Sequence, residues 1–215
     1  MNNFTYSVPT KIHFGKGQIS HLYELSESGN KVLLCYGGGS IKKAGIYDEA
    51  VKILKEEDIE IFELSGIAPN PKIESVREGV KLCKENDIDM VLAIGGGSVI
   101  DCAKVVAAGA CYDGDPWDLV ITPRWIKKAL PIYSVLTLSA TGSEMDPFAV
   151  ISDMSKNEKW GTSSEHMKPK MSILDPEYTY SVSKKQTAAG TADMISHICE
   201  NYFTNVKNAD VQARF

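Results

Sequence analysis

The chain reads as an α/β protein: a doubly wound parallel sheet, followed by the start of an all-helical segment. Three observations carry this. Short apolar runs alternate with helix-period segments of roughly 12–16 residues, the pattern of βαβ units. The same strand–GGGS–helix device occurs twice, as VLLCYGGGSI at 32–41 and VLAIGGGSVI at 91–100. From Lys184 onward no strand pattern remains.

Taken in order, Thr10–Phe14 is β-like, ends at Gly15 and Gly17, and leads into a helix from Gln18. Lys31–Tyr36 is a strand that runs directly into Gly37-Gly38-Gly39-Ser40, and Ile46, Ala50, Ile53 and Leu54 then repeat with helical spacing. Ile59–Leu64 is the next strand; the loop Pro69-Asn70-Pro71 opens a helix through Val76, Val80 and Cys83. Asp89–Ile94 is the third internal strand, and Gly95-Gly96-Gly97-Ser98 passes it into a helix carrying Val99, Ala103, Val106 and Ala107. Asp113–Trp117 reads as a polar turn, Pro131–Leu136 as a strand, and Thr137–Glu144 as a loop rich in hydroxyls. Ala149–Asp153 and Trp160–Ser163 flank Lys156-Asn157-Glu158 as a β-hairpin, and Met171–Leu174 is the last strand before Asp175-Pro176.

Glycines between a strand and a helix let the backbone approach an anion, because no Cβ intervenes. The helix start adds unpaired N–H groups and the positive end of the dipole. One GGGS turn fits a bound phosphate and a bare tight turn about equally. Two of them at the carboxyl edge of one sheet fit a nucleotide or dinucleotide better than either does alone. The hydroxyl-rich loop can line a polar ligand or simply cap and turn the chain.

Residues 1–180 thus form a nucleotide-binding α/β domain, and 181–215 the opening of a helical domain that this chain is expected not to complete. On a helical wheel Ala192, Ile195, Cys199, Tyr202 and Val206 share a stripe, flanked by Met194, Ile198 and Phe203. The remaining sector is narrow and holds Asp193, Ser196, His197, Glu200 and Thr204, which suggests burial of that sector. Asp193 and His197 stand one turn apart. A carboxylate with an imidazole suits Zn²⁺ or Fe²⁺, and the same spacing also suits a plain Asp–His hydrogen bond.

Composition narrows the remaining classes. At 215 residues, 43% hydrophobic and 24% charged, the chain can build a packed core, and a net charge of −5 gives no electrostatic case for nucleic acid or an anionic membrane. Five scattered cysteines without a C-x-x-C pair read as reduced cytosolic thiols. The N-terminus lacks a signal-peptide pattern and no apolar run reaches the ~20 residues of a span, so a cytoplasmic protein is expected.

With these residues in place the chain resembles the iron-dependent (group III) alcohol dehydrogenases, in their butanol dehydrogenase and aldehyde reductase branch. The resemblance rests on FGKG at 14–17, YGGGSIKKAGIYD at 36–48, PNP at 69–71 and IGGGSVIDCAK at 94–104. LTLSATGSEMD at 136–146, NEK at 157–159, LDP at 174–176 and QTAAGTADMISHICE at 186–200 complete it. It implies a dehydroquinate synthase-like architecture, with metal held between the α/β half and a helical half. It implies pyrophosphate binding by Gly95, Gly96, Gly97 and Ser98, with Gly37, Gly38, Gly39 and Ser40 beside them. Asn70, Asp101, Thr137, Thr141, Ser143, Lys159 and Tyr178 would line the rest of the cofactor path. Asp193 and His197 match the first two metal ligands and would act in catalysis through Fe²⁺ or Zn²⁺; two histidines of the helical half would complete the set.

The activity implied is oxidation of short-chain primary alcohols, or reduction of aldehydes such as butanal, by a protein that is a homodimer at full length. A glycerol dehydrogenase-like oxidoreductase and a catalytically silent nucleotide-binding fragment are the rival readings. No carboxylate stands between the end of the strand at Tyr36 and Asp48, while Lys42 and Lys43 follow Ser40. NADP(H) is therefore expected as cofactor, with NAD(H) possible.

Overall fold

A computed structural model describes residues 3, 5 and 7–203. It divides into a unit over Val8–Thr179 and a second unit of the two terminal segments. Expectations for Thr204, Val206 and the helix end at Gln212–Phe215 lie outside the described residues.

In the first unit the elements follow as β1 (Lys11–Phe14), a 3-10 helix (Gln18–Ser28), β2 (Lys31–Tyr36), α1 (Ser40–Lys43), α2 (Ile46–Glu56) and β3 (Glu60–Leu64). Then come α3 (Ile73–Asn86), β4 (Met90–Gly95), α4 (Gly97–Ala110), α5 (Pro116–Ile121) and β5 (Ile132–Leu136). The hairpin β6 (Phe148–Asp153) and β7 (Glu158–Ser163) precedes β8 (Met171–Leu174). The six-stranded sheet has the order β1-β8-β5-β4-β2-β3, and every neighbouring pair is parallel. The hairpin is antiparallel and forms its own two-stranded sheet.

Parallel strands covered on both faces need apolar residues at every position rather than at alternate ones, which is why KVLLCY and MVLAIG are continuous runs. Side chains of β2 and β4 alternate between two cores. Leu33, Cys35, Val91 and Ala93 face α3, α4 and α5. Val32, Leu34, Leu92 and Ile94 face α2 and the 3-10 helix.

Two local readings change. The segment from Gln18 is helical but winds as a 3-10 helix. Its buried residues Ile19, Leu22 and Leu25 recur every third position, the period of that helix rather than of an α-helix. Asp113–Trp117 is not only a turn, because α5 begins inside it: the Asp115 carboxylate accepts from Trp117 N at 2.8 Å, and Pro116 takes the first helical position.

In the second unit α6 spans Lys184–Tyr202, capped by Ser183, whose hydroxyl accepts from Gln186 N. No residue of α6 is buried, so the narrow polar sector inferred from the wheel corresponds to an exposed helix here. Among the described residues no helix is long and apolar enough to cross a membrane.

Candidate functional site

The two glycine turns lie side by side. β2 and β4 are sheet neighbours, with Tyr36 opposite Ile94, so Gly37–Gly39 and Gly95–Gly97 leave the same carboxyl edge. The first turn enters α1 through Gly39 at φ 95°, a conformation that favours glycine. The second enters α4 from Gly96, with no side chain capping the helix start. The uncapped first turn of α4 keeps backbone donors for an anion. Space is tight there. A Cβ on Gly97 would come 2.7 Å from Thr141 Oγ1, and one on Gly96 would come 3.3 Å from Leu138.

A rim closes over the second turn from two directions. Asn70 N donates to Ser98 Oγ at 3.3 Å, and Lys159 Nζ of the hairpin donates to Asn70 Oδ1 at 2.7 Å. Ser152 N donates to Pro71 O at 2.9 Å, which ties the hairpin to the same loop. Asn70 holds this place with φ 55°, a left-handed conformation that asparagine tolerates.

On the other side the loop after β5 is pinned to α4. Thr137 N donates to Gly95 O, and the Asp101 carboxylate accepts from Ser143 Oγ at 2.6 Å and Val150 N at 3.0 Å. Each Asp101 oxygen accepts one of these bonds, so this side chain holds the loop and the hairpin to α4. Lys104 is the hub of that arrangement. Fully buried, it donates to Ser143 Oγ, Asp146 Oδ1 and the Phe148 carbonyl at 2.8–2.9 Å. Burial lowers the Lys104 pKa against the pull of Asp146, and burial raises that of Asp101 against the hydrogen bonds from Ser143 and Val150 N. Neither Lys104 nor Asp146 belongs to the candidate site as read from the sequence, where the one signal is a lysine embedded in the largely apolar run Val99–Ala108.

A cavity of ≈ 220 Å³ opens at the ends of β5 and β8, lined by Leu136, Ser139, Leu174 and the buried carboxylates Glu144 and Asp175. Tyr178 stands apart from the rim. It packs against the core on the α2 side with Glu49 beside its hydroxyl; burial, then Glu49, push its pKa up. Lys42 is already occupied, 3.7 Å from Glu63 and over the rings of Tyr36 and Tyr47.

On α6, His197 Nε2 lies 3.7 Å from Asp193 Oδ2, and its Nδ1 3.7 Å from Glu200 Oε2. Asp193 and His197 are each about two-thirds exposed. An imidazole nitrogen and a carboxylate oxygen at that separation suit two positions on one divalent ion, so the pair fits half of a metal site.

The family model for iron-containing alcohol dehydrogenase matches residues 9–176, from β1 to just past β8. The chain belongs to this family. Among iron-containing alcohol dehydrogenases it is 59% identical over 213 residues to NADH-dependent butanol dehydrogenase A of Clostridium acetobutylicum, covering 99% of this chain and 55% of that protein. It is 44% identical to the NADPH-dependent aldehyde reductase YqhD of Escherichia coli, with 100% and 56% covered. The crystal structure of NADH-dependent butanol dehydrogenase A from Thermotoga maritima superposes with a TM-score of 0.90 at 51% identity, covering 94% of this chain and 52% of that one. The chain therefore spans about half the length of these relatives.

Proposed function

We propose that this chain is the nucleotide-binding part of a metal-dependent alcohol dehydrogenase or aldehyde reductase acting on short-chain primary alcohols and aldehydes such as butanol and butanal. The relatives' names support that substrate class. The observation that carries the reading is the pair of glycine turns on adjacent strands, with Asn70 and Lys159 reaching over Ser98. In this reading residues 1–180 hold the nucleotide and 181–215 begin the metal-binding part, with Asp193 and His197 as ligands. When bound, the nucleotide supplies hydride transfer and the ion supplies Lewis acidity toward the substrate oxygen. The chain's own contribution is binding and orientation. The α4 amides and Ser98 hold pyrophosphate, and Thr137, Thr141 and Ser143 flank the path toward the cavity at the ends of β5 and β8. The same proposal places the protein in the cytoplasm, without nucleic-acid or membrane partners, and as a homodimer at full length.

The test is turnover. The full-length protein loaded with iron or zinc is expected to oxidise NAD(P)H with butanal, residues 1–215 alone to show no turnover, and Asp193→Ala or His197→Ala in the full-length protein to abolish turnover while the dissociation constant for the nucleotide stays within twofold. Loss of nucleotide binding in either variant would refute the division of labour.

Cofactor choice is part of the proposal: NADP(H), with NAD(H) accepted. Gly38 supports it, because no carboxylate stands at the strand end and a Cβ at this position would meet nothing within 4 Å. Lys42 supports it less, being held by Glu63. Gly38→Asp is expected to lower kcat/KM for NADPH by about 10- to 100-fold through repulsion of the 2′-phosphate, and to leave NADH use intact. An unchanged ratio of the two cofactors would remove Gly38 from the specificity site.

A further inference from the structure

A second group of ligating side chains lies on the sheet's far edge. His13 on β1 and His21 and Glu24 on the 3-10 helix bring their donor atoms within 4.8 Å of one another. The helix type does part of this. With three residues per turn, His21 and Glu24 stand directly above one another rather than splayed as on an α-helix. Glu24 Oε1 lies 3.0 Å from His21 Nδ1 and 2.9 Å from His13 Nε2. The contact to His13 is a close polar approach that lacks the alignment of a hydrogen bond, so this buried nitrogen has no hydrogen-bond partner. The other carboxylate oxygen is held by Lys11 Nζ at 2.6 Å, which orients the group and leaves Oε1 facing the imidazoles.

We propose that His13, His21 and Glu24 form a divalent transition-metal site of the Zn²⁺ class that clamps edge strand β1 to the helix covering it. Two imidazoles and one carboxylate are a borderline donor set, suited to Zn²⁺, Co²⁺, Ni²⁺ or Cu²⁺ rather than Mg²⁺ or Ca²⁺. Tetrahedral coordination with bonds of about 2.0–2.2 Å separates donors by about 3.3 Å, so the two distances to Glu24 Oε1 need to open by only a few tenths of an ångström. The rings are stacked, 3.6 Å between centroids and 11° from parallel, so sharing an ion also requires one of them to tilt. His21, whose side chain is 30% exposed against 13% for His13, has the freedom to do so.

Lys11 is the opposing charge. Its side chain is 60% exposed and can turn into water when a dication arrives.

The site is separable from Asp193 and His197 by mutation, so the experiment uses the whole chain carrying Asp193→Ala and His197→Ala, stripped with chelator and dialysed. Titration with Zn²⁺ is expected to give one equivalent bound by calorimetry. At free Zn²⁺ a hundred times Kd the melting temperature should rise by about 5–10 °C. Co²⁺ in its place should show the intense visible bands of four-coordinate geometry. Adding His21→Gln, at the more exposed ligand, should weaken Zn²⁺ at least tenfold without lowering the melting temperature of the metal-free chain. Lys11→Met should tighten it. Absence of a saturable equivalent, or equal Zn²⁺ affinity with and without His21→Gln, would overturn the proposal and leave the cluster as two histidines around one carboxylate.

Discussion

Replacing Lys104 with methionine is expected to lower the melting temperature of the α/β unit by roughly 6–12 °C. The cost is that of removing the fully buried member of a hydrogen-bonded charge pair whose other member, Asp146, is 30% exposed, about 3 kcal/mol, in a unit where each kcal/mol moves the midpoint by about 2–4 °C. Methionine keeps the unbranched stem, so packing along α4 changes little. What is lost is the ammonium that satisfies Ser143, Asp146 and the Phe148 carbonyl together. Because the 137–146 loop is held on α4 by this group and by Asp101, the variant should also bind nucleotide more weakly at temperatures where it is fully folded. A melting temperature within 2 °C of the parent would show that the ammonium adds nothing beyond what a hydrophobic residue supplies.

Gly96→Val is expected to reduce nucleotide affinity on the order of 100-fold or more, the equivalent of losing one or two charge-assisted hydrogen bonds. Gly96 has φ −86° and ψ −176°, extended backbone that valine adopts readily, so the sheet and α4 should persist. The obstacle is spatial. A branched side chain would stand where a pyrophosphate must approach the uncapped amides of α4, already within 3.3 Å of Leu138 at the first added carbon. Fluorescence titration with NADPH and NADH measures the effect, and circular dichroism verifies the fold. Normal affinity in a folded variant would make the second GGGS turn purely structural.

Much of this site was legible in the sequence, and the reason is local. Strand β2 occupies Lys31–Tyr36 as read, because a strand buried on both faces reads as a near-continuous apolar run. The two glycine turns announce themselves for the same kind of reason, since both the reading and the structure depend on the missing Cβ. What was not legible depends on long-range partners or on one residue with two meanings. Asp115-Pro116 carries the composition of a turn and the chemistry of a helix cap, and the packing of Trp117 and Leu119 into the core decides for the helix. Lys104 is an ordinary helix former until Asp146, 42 residues on, is placed beside it. The same holds for His13, 8 residues from His21 in sequence but stacked on it in space.

The pairing of β1 with β8 has a consequence for how the molecule comes into being. The first strand made has its hydrogen-bonding partner among the last, with Lys11 opposite Met171 and Thr10 Oγ1 bonded to Pro169 O across 159 residues of chain. During synthesis β2 to β5 can assemble as soon as residue 136 is available, but β5 then presents an unpaired edge that is apolar except for Ser134. At about 5–20 residues per second, that edge stays open for some seconds until β8 arrives, and only then can β1 dock in turn. Such an edge is a template for pairing with another nascent chain, and high contact order slows its closure. The vulnerable moment in the life of this protein is therefore the interval between residues 136 and 174, and a chain stalled in that window should aggregate where the complete unit does not.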